Sequence, residues 1–175
     1  MKLTPSFSIL AAGIVLGSAT PTLADAPPQE VKDMASMVGA WKGAATLTMG
    51  ADKASVKVAM TCQAAAGAWG VQCQTRFTGM PGGGAYLETD LFGYEPGTRK
   101  FHWFSVTNMG ETHDHVSDGL KGNVIEFVHG GVQEGKPLKE VIRMTFSEDC
   151  KKFDVRSETT LGGQVVAVLE GSAHK

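Results

Sequence analysis

The sequence has few of the residues that mark several common protein classes. Only 3 of its 175 residues are cysteine, 7% are aromatic and 19% are charged, against about 25% charged residues in an average soluble domain. The 16 lysine and arginine residues are balanced by 18 aspartate and glutamate residues, and no block of like charge occurs. A nucleic-acid-binding protein would carry a basic patch. We therefore predict no nucleic-acid partner.

The sequence also lacks a long apolar run and the signatures of the common enzyme classes. No apolar segment approaches the ~20 residues that a membrane helix needs, so no membrane span is predicted. Gly-x-Ser-x-Gly, Cys-x-x-Cys, His-Glu-x-x-His and a phosphate-binding loop are all absent. These absences favour a binding protein over an enzyme. The alternatives are a metal site, binding or hydrolytic, an enzyme that uses an inward Glu and His as an acid–base pair or that depends on haem, and a structural or interaction module of the cell envelope.

The first 24 residues have the three parts of a secretory signal. Lys2 precedes a short apolar core, Ile9 to Leu16, and Thr22-Leu23-Ala24 forms a small-x-small cleavage site. We predict that residues 1–24 are a signal peptide and that residues 25–175 form one domain, with a retained anchor as the alternative. The mature protein is then expected to be periplasmic or secreted.

Export would allow disulfide bonds, and two of the cysteines lie within one predicted hairpin. A two-residue turn at Gly67-Ala68, of type II′, places Cys62 directly opposite Cys73. Directly opposed cysteines lie within disulfide reach. We predict a disulfide bond over two buried thiols, which leaves Cys150 without a partner in a charged turn.

Apolar residues alternate with polar ones along most of the chain, and many of its 22 glycines lie in turn-like segments between the alternating stretches. Helical spacing occurs only at residues 28–38, before a first strand that runs from Trp41 to Met49. Further strands are predicted at 54–65, 69–79, 85–94, 100–108, 111–120, 123–130, 138–147, 152–160 and 164–171. The pattern favours an all-β fold, an antiparallel up-and-down β-barrel of about ten strands with a short N-terminal helix. A β-sandwich is the competing architecture.

Several segments carry a family resemblance over about residues 34–171. Gly39-Ala40-Trp41 resembles the Gly-x-Trp signature of lipocalin-like (calycin-type) barrels. Together with Phe92-Gly93-Tyr94-Glu95-Pro96, Phe101-His102-Trp103 and Asn108 to His115, it is similar to an uncharacterised lipocalin-like family of exported bacterial proteins, classed as a domain of unknown function. The resemblance implies a barrel with a lumen. Nitrobindin-like haem barrels are more distantly similar, but they use a late-strand histidine, and none occurs between residues 130 and 173. Haem is therefore not expected.

Three histidines form the sharpest candidate site. If Met109-Gly110 is a two-residue turn, Val106 faces His113, Phe104 faces His115 and His102 falls on the same side of the sheet. Imidazoles at that spacing suit a transition metal such as zinc or copper. The alternative is that His113 and His115 are polar groups lining the lumen.

The same register divides the remaining side chains between the lumen and solvent. It places Glu88 and Asp90 on the outer face, and the strand position of His129 is compatible with an inward side chain. Glu140 alternates with Leu138, Ile142 and Met144, and an inward carboxylate and a register that turns it to solvent are equally compatible with this pattern. We predict a hydrophobic or amphipathic small molecule in the lumen. Its predicted contacts are Trp41, Met60, Phe77, Leu91, Phe104, Val106, Phe127 and Met144.

Overall fold

Alternating burial along ten strands generates the architecture seen in the computed structural model, which describes residues 26–175. A helix, α1 (Gln29–Met34), continues into a 3₁₀ turn at Ala35–Met37. The strands that follow are β1 (Gly39–Met49), β2 (Asp52–Ala65), β3 (Gly70–Thr78), β4 (Ala85–Glu95), β5 (Lys100–Thr107), β6 (Thr112–Ser117), β7 (Val124–Gln133), β8 (Lys136–Phe146), β9 (Lys152–Leu161) and β10 (Gln164–His174). The predicted signal peptide, residues 1–24, lies outside the described residues.

Each strand pairs antiparallel with its neighbours in sequence, and β1 pairs with β10 to close the barrel. The predicted all-β, ten-strand barrel is thus confirmed. Closure brings the strands close together at Gly43, where a Cβ atom would lie 2.0 Å from the backbone oxygen of Ser172. Only glycine fits at this seam between β1 and β10. Within residues 26–175, no helix has the length and apolarity needed to cross a membrane.

The N-terminal helix covers one end of the barrel. Val31, Met34 and Met37 are buried in the core, and the indole Nε1 of Trp41 donates a hydrogen bond of 2.7 Å to the carbonyl oxygen of Met37. The Nζ of Lys175 lies 4.8 Å from the centre of the Trp41 ring. The barrel therefore has one covered end, and its other end is formed by the β1–β2, β3–β4, β5–β6, β7–β8 and β9–β10 connections.

The hairpin of β2 and β3 has the predicted register, with Cys62 opposite Cys73. The two cysteines are joined by a disulfide bond, with their Cα atoms 4.0 Å apart. The turn differs from the predicted two-residue type II′ turn. Strand pairing ends at Ala65 and Gly70, which leaves a four-residue connection, and Ala66, Gly67 and Ala68 all have positive φ angles, whereas a type II′ turn requires this only of its first residue. Cys150 is a free thiol in the described part of the chain.

Candidate functional site

The barrel lumen contains a cavity of about 310 Å³, at the lower end of the range for small-molecule sites. Its lining reaches Met80, Glu111 and Gln133, near the connections opposite the helix. Most of the lining is apolar. The titratable side chains in it are Tyr86, Glu88, Asp90, Glu111, His113, His115 and Glu140, and among the described lining residues none is lysine or arginine.

The predicted ligand contacts divide into three groups. Met60, Phe77 and Met144 line the cavity. Trp41 and Phe127 are buried in the core but do not line it. The remaining three predicted contacts, Leu91, Phe104 and Val106, are 49%, 42% and 46% exposed on the outer wall.

The outward position of these residues corrects the predicted register between β5 and β6. Val106 pairs with Thr112 and Ser105 pairs with His113, so the true register differs from the predicted one by one residue. Because successive side chains point to opposite faces of a strand, a shift of one residue exchanges lumen for solvent. The prediction that Val106 faces His113 is therefore wrong.

The cause lies in the loop between the two strands. The backbone N–H of Thr107 donates to the carbonyl of Glu111, so the loop has three residues, 108–110. The Thr107 hydroxyl accepts from the backbone N–H groups of Met109 and Glu111. The side chain of Asn108 accepts a hydrogen bond from the backbone N–H of Leu87 and donates one to the carbonyl oxygen of Ala85, both in β4. These bonds hold Asn108 against β4 and add one residue to the predicted turn.

His102 consequently lies apart from the other two histidines. It is on the outer wall, where its Nδ1 lies 3.2 Å from a carboxylate oxygen of Asp114 and its Nε2 lies 3.7 Å from Glu95. The predicted three-histidine site, His102 with His113 and His115, does not form, for the same one-residue reason.

A different cluster forms inside the lumen from His113, His115 and Glu140. The Nε2 of His115 lies 2.9 Å from Oε2 of Glu140, and the Nδ1 of His113 lies 3.5 Å from the same oxygen. The other oxygen, Oε1, accepts a hydrogen bond of 3.0 Å from the Ser157 hydroxyl. Of the two positions left open for Glu140, the structure has the inward one, and its carboxylate connects strands β6, β8 and β9.

His129 extends this cluster. It pairs with Glu140 across β7 and β8, and its ring stacks on that of His113 with centroids 4.5 Å apart. Its Nδ1 lies 3.0 Å from the carbonyl oxygen of Asp114. The inward position predicted for His129 is confirmed.

The protonation of the cluster follows from its burial. Burial alone would raise the pKa of Glu140, but the hydrogen bond and charge of His115, the hydroxyl of Ser157 and the nearby His113 hold it below its usual range. Burial lowers the pKa of His113, and the neighbouring His129 and His115 lower it further, against the attraction of Glu140. Glu140 is therefore an ionised acceptor beside a readily deprotonated imidazole.

Glu88 and Asp90, predicted on the outer face, lie in the lumen. Burial, followed by the charges of Asp90 and Glu140, raises the pKa of Glu88 to about 8. Burial also raises the pKa of Asp90 to about 6, although Trp103 and Thr75 donate hydrogen bonds to it, of 2.7 and 3.3 Å. The lumen thus holds two further carboxyl groups with strongly altered affinity for protons.

The sequence contains a signal that identifies this face. Glu88 and Asp90 alternate with Leu87 and Leu91, which suggests an acidic outer surface. Tyr86 and Phe92, however, share the parity of the two acids, and both aromatic side chains line the cavity. The aromatic residues that flank the acids therefore indicate the correct inward face.

Comparison with known proteins gives a family and a fold. The family model described as "Protein of unknown function (DUF1579)" matches residues 26–121, more than half of the chain. The crystal structure of Rv2717c from M. tuberculosis is similar with a TM-score of 0.63 at 15% identity, covering 86% of this chain and 99% of that one. The S-type phycobiliprotein lyase CPES from Guillardia theta is similar with a TM-score of 0.51 at 12% identity, covering 82% and 90%. No curated protein matches the chain significantly.

Proposed function

The chain belongs to the DUF1579 family, and we propose that it is an exported protein that binds an amphipathic small molecule, whose polar end is a cation, in its barrel lumen. The observation that carries this proposal is the composition of the cavity wall. Apolar side chains dominate it, several carboxyl groups converge in it, and no lysine or arginine from the described residues neutralises them. A cationic amphiphile complements both parts of such a wall.

The electrostatic basis of the proposal is the cost of burying carboxylates. An ionised carboxylate in an apolar cavity loses its hydration. It stays ionised there only where hydrogen bonds or an opposite charge compensate for that loss. Asp90, 1% exposed, receives hydrogen bonds from Trp103 and Thr75, but the cavity offers it no lysine or arginine. A ligand ammonium group would favour the ionised forms of Glu88 and Asp90. A ligand carboxylate would add a like charge.

The export part of the proposal rests on two features. Residues 1–24 have the pattern of a signal peptide, and the Cys62–Cys73 disulfide is typical of an oxidising compartment. Both features support a periplasmic or secreted location. Expression of the full chain with a C-terminal tag, followed by cell fractionation and N-terminal sequencing, tests it. An intact N-terminus in the cytoplasmic fraction would refute export.

The ligand class can be tested by displacement of a neutral naphthylamine dye from the purified protein at pH 8. The competitors are a primary amine, an alcohol and a carboxylic acid that share one ten-carbon chain. We expect the amine to bind about tenfold or more tightly than the acid. Tenfold corresponds to about 1.4 kcal/mol, well within the ~4 kcal/mol of a unit charge pair at 4 Å near a protein surface. Equal affinities would refute the cationic preference.

Two matched tryptophan variants locate the bound molecule. Leu169 lines the cavity, so Leu169→Trp should fill the lumen and abolish dye binding. Phe104→Trp enlarges a side chain on the outer wall and should leave dye binding unchanged. Loss of binding in Phe104→Trp with retention in Leu169→Trp would place the ligand outside the barrel and contradict the proposal.

A further inference from the structure

We propose that His113, His115 and Glu140 form a binding site for a divalent first-row transition metal inside the lumen. The three residues can each offer one donor atom, and these atoms lie within 4.8 Å of one another. Donor atoms that each bind one ion at 2.0–2.2 Å are separated by up to about 4 Å. Small side-chain rotations therefore bring the three donors onto a common ion.

The donor set selects the class of metal. Two imidazoles and one carboxylate match the ligands of zinc sites that keep a position open. The hard cations calcium and magnesium prefer oxygen ligands throughout, so the two imidazoles disfavour them. Because all three residues also line the cavity, the open position of a bound ion would face the lumen.

The surroundings of the cluster support a metal site in two further ways. Ser157 donates to Oε1 of Glu140 and leaves Oε2 directed toward both histidines, as residues around metal ligands commonly do. In addition, the side chain of His115 is only 3% exposed, so the packing around it holds Nε2 in place beside Oε2 of Glu140.

A simple ion pair is the competing explanation for the proximity of His115 and Glu140. A histidine–carboxylate pair on the outer wall serves as the matched control. His102 and Asp114 also place an imidazole nitrogen near a carboxylate, at 3.2 Å, but their side chains are 35% and 48% exposed. If proximity of a histidine and a carboxylate were sufficient for metal binding, the two pairs would behave alike. The proposal requires that they differ.

The test is titration of the untagged, chelator-treated protein with Zn²⁺ by calorimetry and with Co²⁺ by visible absorption. We expect one ion per chain and a Co²⁺ spectrum of a four- or five-coordinate site. His113→Gln and Glu140→Gln should each abolish the spectrum, and His102→Gln should leave it unchanged. Ser157→Ala, which removes the hydrogen bond to Glu140, should weaken binding by about 10- to 100-fold.

Three outcomes would overturn the proposal: no stoichiometric binding by the wild-type protein, binding that survives His113→Gln, or equal loss in His102→Gln. His113 is partly exposed, so His113→Gln is the variant least dependent on the core for its folding, and the far-ultraviolet circular dichroism spectrum checks its fold. Binding of the neutral dye is measured on the same samples. Dye binding without metal binding contradicts the metal site alone, whereas metal binding without dye binding contradicts the lumen ligand alone.

Discussion

Glu88 is expected to make the stability of this protein fall as the pH rises from 5 to 7. Its carboxyl group has a pKa of about 8 in the folded barrel, against an ordinary value of 4.5. Within this interval the folded chain keeps a proton that the unfolded chain has released. The free energy of unfolding therefore decreases with pH, because stability rises with pH only where the unfolded state binds more protons.

The magnitude follows from the same difference in bound protons. One proton held only by the folded state changes the free energy of unfolding by about 1.4 kcal/mol per pH unit. Over two pH units this amounts to about 3 kcal/mol. Glu88 interacts with Asp90, whose pKa is raised to about 6, and the pair shares part of the effect. We therefore expect about 2 to 3 kcal/mol to be attributable to Glu88.

The assay compares wild-type protein with Glu88→Gln by urea unfolding at pH 5, 6 and 7. The variant cannot release a proton at this position, so its stability relative to wild type should increase by about 2 to 3 kcal/mol between pH 5 and 7. Glu126→Gln, on the exposed outer wall, is the matched control and should show a constant difference. A constant difference for Glu88→Gln as well would refute the assignment of Glu88 as a buried, protonated carboxyl group.

Three further predictions concern the barrel itself. Replacing both Cys62 and Cys73 by alanine should lower the free energy of unfolding by about 3 kcal/mol, from the entropy of a loop of 11 residues; denaturant unfolding that matches that of the wild type would contradict this. Gly43→Ala should prevent normal closure of the barrel, because the added Cβ meets backbone 2.0 Å away; a native near-ultraviolet circular dichroism spectrum and an unchanged melting temperature would show that the seam can adjust. Trp41→Phe removes the hydrogen bond to Met37 and should cost about 1 to 3 kcal/mol, measured by thermal unfolding. It should also expose α1 to limited proteolysis, and an unchanged cleavage rate would contradict the role of this bond in holding the helix.

Much of the fold could be predicted from the sequence because it depends on local patterns. Alternation of apolar and polar residues locates the strands, and glycine-containing turns separate them. In the β2–β3 hairpin, the predicted two-residue turn and the observed four-residue connection have the same centre, between Gly67 and Ala68, so Cys62 lies opposite Cys73 in both. For Glu140, the alternation of Leu138, Ile142 and Met144 around it allowed an inward position without excluding an outward one.

The candidate site could be predicted only in part. Of the three predicted histidines, His113 and His115 lie together in the structure, where they meet Glu140 and His129. Their expected partner His102 lies on the opposite side of the wall, and Glu88 and Asp90 lie on the side opposite to the one expected. One residue in one loop accounts for the exchange of His102, since it reverses the faces of β5 relative to β6.

The sequence by itself therefore determined the class of fold, the number of strands and the hairpin that carries the disulfide. Only the tertiary structure decided which side chains share the lumen. The physical reason is that alternation divides the side chains of a strand between two faces but does not identify which face borders the lumen. On β5 and β6 that choice depends on a contact that is distant in sequence. Asn108 bonds the backbone of Ala85 and Leu87, more than 20 residues earlier in the chain, and no pattern within the Met109-Gly110 turn records those bonds.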